Sequence, residues 1–325
     1  MKKDLEVHQT TAQVFYDRKS EELSGDPKCL VICLDYQKNL SLPNITTGEV
    51  YYKRQLSVFN LNIHELRRNY ATFYVYPESI AKKGCNEVIS FLDHYLHQAN
   101  ASEQYESVSI YLDSCAGQNK NYWMFLYLNF LVKYERKFKA ITLHYPVRGH
   151  SYMECDRDMA CINTKLVAYT VDDWKEIIRN ARRNPTPYRV VDVDQPMIKN
   201  WRGYLEPYFP KKCNFATQKI REIFFHTSEV KFRCSFNGPK TEVFLEKRGQ
   251  ERVDLNRNGL KPLYNKDIAI TEEEWKDLQS LTKFCNAAGR EMIDSLTHIN
   301  MIEKESDFHD ILFDDPDMEL DDEFV

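Results

Sequence analysis

The sequence predicts an α/β protein built on a mixed sheet. Short apolar, strand-forming runs alternate with stretches of helical period. Two of those runs, Ile32-Cys-Leu-Asp35 and Ile110-Tyr-Leu-Asp113, end alike in an acid. Hairpin-like links join the first three strands, whereas each of the next two follows a helix, which requires parallel crossovers.

Residues 1–26 lack a clear period and read as a lead-in. Cys29-Leu-Val-Ile-Cys-Leu-Asp35 is the first strand. The turn signal Pro43-Asn-Ile-Thr-Thr-Gly48 separates it from a long strand signal over Val50–Ile63. Ala71–Tyr76 is the third strand. Val88, Ile89, Leu92, Tyr95 and Leu96 then recur at helical spacing, predicting a helix over 84–99. Val108–Asp113 is a fourth strand, Asn119–Arg136 a strongly apolar helix, and Lys139–His144 a fifth strand. Residues 155–168 and 172–183 read as helices, the second with Asp172 and Asp173 at its positive end.

This βββαβαβα order is that of the ribonuclease H-like fold, a five-stranded mixed sheet with helices on both faces. The predicted core spans 27–183. Five of the twelve prolines fall at Pro185, Pro187, Pro196, Pro207 and Pro210, so 184–212 reads as a linker. Residues 213–302 read as a small α+β appendage. Its strand-like runs are Lys219–Phe225, Val230–Phe236 and Glu242–Glu246, with an Asn237-Gly238 turn. A capping box at Thr271-Glu-Glu-Glu274 opens a helix expected to run to Ala288.

Of 325 residues, 42% are apolar and 29% charged, a folding composition. No P-loop, dinucleotide fingerprint, nucleophile elbow or zinc-protease motif occurs. The start, MKKDLEVHQTTAQ, carries no apolar run of the secretory kind. The longest apolar stretch, Trp123–Val132, is far short of the roughly 20 residues that span a bilayer. Nine irregularly spaced cysteines suggest reduced thiols and an intracellular protein. His144, His150, Cys155 and Cys161 fit no common zinc spacing.

Charge is uneven. From Glu303 to Val325 there are eleven acids and one base, so the other 302 residues hold 43 bases against 38 acids. The tail, 303–325, mixes acids with apolar residues and reads as disordered: a solubilising segment, a protein-partner site, or a competitor with nucleic acid for the basic body.

The strand-end acids carry the functional reading. If the first and fourth strands lie side by side, Asp35 and Asp113 meet at the carboxyl end of the sheet. Two adjacent carboxylates repel, and a divalent cation between them relieves the repulsion. Oxygen ligands favour Mg²⁺ or Mn²⁺. A third acid is expected near the helix after the fifth strand, where Asp156 is chosen, with Asp158 and Glu154 behind it. His150 is a candidate proton carrier. The polar loop after Asp113 offers Gln118, Asn119 and Lys120 to phosphates, and Arg157 is a further nucleic-acid candidate. The plainer readings are a turn-forming Asp after each strand and a loop in which Asn119 or Asn121 caps the next helix.

The blocks ICLDYQKNLSLPNITTGEVYYKRQLSVFNLNIHE, SIYLDSCAGQNKNYWMF and HYPVRGHSYMECDRDMACI are long and specific. Through them, roughly residues 8–285 resemble an uncharacterised eukaryotic family of domains of unknown function with a transposon-derived look. Relatives look longer upstream, so the chain resembles a truncated copy. The resemblance implies a transposase-like core with Asp35, Asp113 and Asp156 on the matching positions. It also implies a Glu where this chain has Asn163, which would impair catalysis if that position were the third ligand.

The expectation is therefore a transposase-like domain for phosphodiester cleavage or strand transfer on DNA or another nucleic acid, nuclear and not membrane-bound. Asp35, Asp113, Asp156 and Asp158 are its metal candidates. The alternative is a decayed or domesticated copy that binds nucleic acid or protein without cleaving.

Overall fold

The structure is a computed structural model that describes residues 2–102, 104–147, 152–247 and 255–299. It opens with helix α1 (Lys2–Ser24), followed by β1 (Cys29–Tyr36), β2 (Leu40–Leu42), a 3₁₀ turn (Gly48–Tyr52), β3 (Leu56–Glu65) and β4 (Tyr70–Pro77). Next come α2 (Cys85–Ser102), β5 (Ser107–Leu112), α3 (Tyr122–Asn129), which runs on as a π-helical turn (Phe130–Tyr134), and β6 (Ala140–His144). Then follow α4 (Glu154–Ala160), α5 (Val171–Asn180), β7 (Arg189–Asp192) and α6 (Trp201–Leu205). The rest comprises β8 (Glu222–His226), β9 (Val230–Arg233), β10 (Thr241–Val243), β11 (Ile270–Thr271), α7 (Glu272–Leu281), α8 (Ala287–Asp294) and β12 (His298–Ile299).

The main sheet has ten strands, not five. Its order is β10-β9-β8-β6-β5-β1-β3-β4-β7, and β2 pairs with β3. Strand β1 is parallel to β5 and antiparallel to β3, and β5 is parallel to β6. Of the five extra strands, β2 lies within the predicted core, and β7 to β10 come from segments read as a linker and an appendage. β8 pairs antiparallel with β6, β9 and β10 follow it, and β7 pairs parallel with β4. A five-stranded sheet would leave β6 and β4 as open edges, and these additions satisfy their backbone groups. Local pattern marks β8 to β10 as strands but does not say which edge they join, and it marks neither β2 nor β7.

Helix ends follow side-chain chemistry. Asn121 caps α3 by accepting from the Met124 N–H (3.0 Å), and Thr170 and Asp173 close a reciprocal box on α5. The helix expected from Thr271 to Ala288 is two helices. A 3₁₀ turn at Thr282–Phe284 ends the first, and Asn286 caps the second. The helix expected over 155–168 stops at Ala160.

The sheet is buried on both faces. Leu30, Ile32 and Leu34 of β1 pack with α2, α3 and α6 on one face. Val31 and Cys33 pack on the other with Phe15, Met159, Trp174 and Leu278 from α1, α4, α5 and α7. Among the described residues, no helix is long and apolar enough to cross a membrane.

A buried charged cluster joins α1 to the β5, β6, β8 and β9 strands. The His144 ring contacts Glu222 through Nδ1 (2.9 Å), and its Nε2 lies 2.9 Å from the Ser109 hydroxyl and 3.2 Å from Glu22. Tyr111 stacks on that ring at 4.4 Å and donates to Glu22 (3.0 Å). Arg233 donates to Glu222, which is fully buried. Burial opposes charge on His144, but hydrogen bonds to Glu22 and Glu222 outweigh it and raise its pKa. Burial likewise works against both carboxylates, and hydrogen bonds from His144 still leave them below their usual range. The histidine's contribution is present below its unfolded pKa of 6.5 and is lost as pH rises through the raised value. The glutamates' contribution is present above their unfolded value of 4.5 and is lost as pH falls through their lowered ones. Glu222→Ala takes the carboxylate from buried Arg233 and leaves His144 with Glu22 alone, so urea unfolding should show a loss of about 3–5 kcal/mol. A loss under about 1 kcal/mol would show the cluster to be dispensable.

Candidate functional site

The site grows from one pairing. Strands β1 and β5 run parallel with Leu34 opposite Leu112. Asp35 and Asp113 are the next residues of each chain, so the two acids leave the apolar interior at the same level. Strand alternation puts them on the face of Cys33 and Tyr111, the face that α4 covers.

Their electrostatics agree with that placement. Burial, the Asp113 charge and, to a lesser extent, the Asp156 charge raise the Asp35 carboxyl to about 7. The Tyr36 N–H (2.7 Å) and Lys83 pull the other way. Burial and Asp156 also raise Asp113, against hydrogen bonds from the Asn119 amide and the Cys115 N–H. Asp35 thus holds its proton to a higher pH than an exposed aspartate does.

The other expected residues divide. Asp156 feels both acids, yet one of its oxygens accepts from the Met153 N–H (2.7 Å) and caps the first turn of α4. Asp158 is spent in a buried network. It meets His64 Nδ1 at 2.6 Å and accepts from Asn62 at 3.1 Å and the Tyr188 hydroxyl at 3.0 Å, while Arg182 lies at 3.4 Å. Burial would raise its pKa, but these hydrogen bonds hold it low. Asp156 and Asp158 are two residues apart on a helix, about 200° around it, so they face opposite ways. Glu154 is paired with Lys19 (2.9 Å).

The loop after Asp113 does not present its polar groups as expected. Asn119 and Lys120 are each 1% exposed, so neither reaches a phosphate in solvent. The loop folds back on the Cys115 carbonyl, which accepts from both backbone N–H groups (2.8 and 2.9 Å). The Asn119 amide turns to Asp113, and Lys120 Nζ donates to the Gln218 carbonyl (2.7 Å) over the Tyr145 ring. Burial, with Arg221 nearby, pushes the Lys120 pKa down to about 8. Gln118 donates to the Lys83 carbonyl (3.3 Å), and the Arg157 side chain is mostly exposed. His150 lies outside the described residues, as does the acidic tail.

Sequence reasoning missed Lys83. Its ammonium sits over the Tyr36 ring (4.7 Å), donates to Asn39 Oδ1 (3.0 Å) and acts on Asp35. Lys-Lys-Gly ahead of a helix carries no signal that would single it out. A cavity of about 450 Å³ lies elsewhere, between α5 and the turn after α4, and Asn163, Leu166 and Glu176 line it.

Among the described residues, no group of three or more His, Cys, Asp or Glu side chains is arranged to hold a metal ion. Asp35 and Asp113 remain as an oxygen-only pair with crowded negative charge. Mg²⁺ is commonly held by one or two carboxylates, with waters and substrate oxygens completing its shell, so this donor pair is of the right kind.

The fold and site define a mixed α/β domain with an acidic pair at adjacent strand ends. The sequence profile of a family described as a domain of unknown function, DUF7869, matches residues 62–236, more than half of the chain, and the protein belongs to that family. Asp113, Asp156 and Asp158 fall inside the matched span, and Asp35 precedes it. No curated protein and no solved structure matches the chain.

A carboxyl raised in the folded state costs stability as pH climbs from its unfolded value of 3.8 toward about 7. Asp35→Asn removes that cost and keeps an acceptor for the Tyr36 N–H. In metal-free urea unfolding, the variant should exceed the wild type by about 1–3 kcal/mol at pH 8 and match it near pH 4. A constant difference across that range would contradict the assigned crowding.

Proposed function

We propose that this chain is a ribonuclease H-like, transposase-related domain that cleaves phosphodiester bonds in nucleic acid, with Asp35 and Asp113 holding Mg²⁺ or Mn²⁺. The observation that carries the reading is the sheet centre. In β4-β3-β1-β5-β6, β3 is antiparallel to both neighbours, β1, β5 and β6 are parallel, and an acid ends each of the two central strands. That succession is the one expected of a ribonuclease H-like core. The fold alone assigns no reaction, so the acids bear the argument.

The chain's own groups have definable tasks in this reading. Asp35 and Asp113 supply anionic oxygens, and Asn119 fixes the Asp113 carboxylate by donating to it. Lys83 sets a positive charge beside Asp35 where a substrate phosphate would arrive. A bound divalent cation would supply charge neutralisation and water activation. A nuclear location follows from the same reading.

A second reading, a copy that binds nucleic acid or protein without cleaving, draws on the commitments of Asp156 and Asp158. One caps a helix and the other is enclosed in a network, which leaves a two-carboxylate site. A Mn²⁺-dependent nuclease assay on single- and double-stranded DNA decides between the two. Cleavage should fall at least about a hundredfold in Asp113→Asn while the circular dichroism spectrum is unchanged. The wild-type melting temperature should also rise with Mn²⁺. Equal activity in wild type and variant removes the catalytic reading. Nucleic-acid binding with neither cleavage nor a metal-linked rise in melting temperature selects the second.

A further inference from the structure

Away from the acids, the 3₁₀ turn Gly48–Tyr52 displays two adjacent tyrosines. Tyr51 and Tyr52 are 85% and 82% exposed, the highest values for large apolar side chains among the described residues. Their rings meet edge to face at 5.2 Å, so both keep most of their surface in water. No residue of the turn is buried. Such exposure is unusual for neighbouring aromatic rings, which ordinarily bury much of their area.

The turn is nevertheless anchored. Thr47 caps it by accepting from the Glu49 N–H. Lys53 and Arg54 both reach Asp277 of α7, at 3.1 and 3.0 Å. Glu49 pairs with Lys283 (2.8 Å), in the turn after α7. The Lys283 ammonium lies 4.8 Å from the Phe284 ring, and Phe284 is itself 37% exposed. Two distant segments therefore present three rings and three cations, and among the described residues Glu49 and Asp277 are the acids that pair with those cations. Arg54 and Lys283 keep 63% and 57% of their side chains exposed.

We infer that Tyr51 and Tyr52, with Arg54 and Lys283, form a platform for single-stranded nucleic acid. Bases stack on exposed rings whatever their sequence, and phosphates compete for partly neutralised cations. A duplex hides its base faces and cannot use such rings. An apolar protein partner would call for several aliphatic neighbours, whereas Val50 is the one aliphatic residue of the turn and Glu49, Lys53 and Arg54 beside the rings are charged. The platform uses neither Asp35 nor Asp113. It rests on the proposed function only in taking nucleic acid as the ligand.

The test is fluorescence anisotropy of a labelled 20-nucleotide oligo-dT with the full chain, in EDTA and about 50 mM salt. Tyr51→Ala/Tyr52→Ala should weaken binding at least about tenfold, and Tyr51→Phe/Tyr52→Phe should stay within about twofold of wild type. Binding should weaken as salt rises. Both side chains are exposed, so the variants should melt as the wild type does. Equal binding by the alanine variant overturns the platform, as does a wild type that prefers duplex. A wild type that binds no oligo-dT also overturns it. The Mn²⁺ cleavage assay, read with Asp113→Asn, separately decides the fate of the carboxylate reading.

Discussion

The parallel pairing of β1 with β5 is the constraint on which the rest depends. Both strands are buried on two faces, so apolar alternation alone sets their register weakly. The acids supply what the apolar residues do not. A slip of either strand by one residue would draw Asp35 or Asp113 into the interior, where an unpaired carboxylate is costly. The pair that crowds charge at the sheet end therefore also helps to fix the sheet's centre.

The face that carries the acids is unusually rich in buried charge. The Glu222–His144–Glu22 cluster pins α1 across β5, β6 and β8, and the Asp158–His64 network pins α4 against β3. Each network is nearly self-satisfied, so it adds geometric definition more than net stability. At the ends of β1 and β5, Lys83 acts on Asp35 and the Asn119 amide on Asp113, and both moderate the carboxylate repulsion without cancelling it.

Much of the sheet's centre is legible in the sequence. Cys29–Asp35 and Val108–Asp113 read as strands because their apolar runs are short and rich in strand formers. Helical period over 84–99 and 119–136 gives the crossovers. Outer strands β8, β9 and β10 are legible as strands but not as neighbours. Glu222–His226 joins β6 through backbone hydrogen bonds that every residue can make. The proline-rich stretch conceals β7, since Arg189–Asp192 is short and lies on an edge. The polar loop after Asp113 reads as solvent-exposed by composition. Its buried Lys120 depends on a carbonyl at Gln218 and a ring at Tyr145, both remote in sequence.

Asp156 and Asp158 show where sequence position stops being informative about chemistry. Both lie in the block Glu154-Cys-Asp156-Arg-Asp158, and both are acids near the right strand. The helix separates them. Because α4 is anchored through Asp158 to Asn62, His64 and Tyr188, the opposite side of its first turn is the side left for Asp156. Asp156 is held there by the Met153 N–H through one oxygen. Asn163 lies beyond the end of α4, where its side chain accepts from the Lys165 N–H and shapes a turn. In the cleavage reading proposed above, a third anionic ligand for the Asp35–Asp113 pair would come from Asp156 after it gives up part of its cap, or from the substrate. In that reading the second route would suit a phosphodiester, whose oxygens would complete the shell of a two-carboxylate cation without any change in the helix.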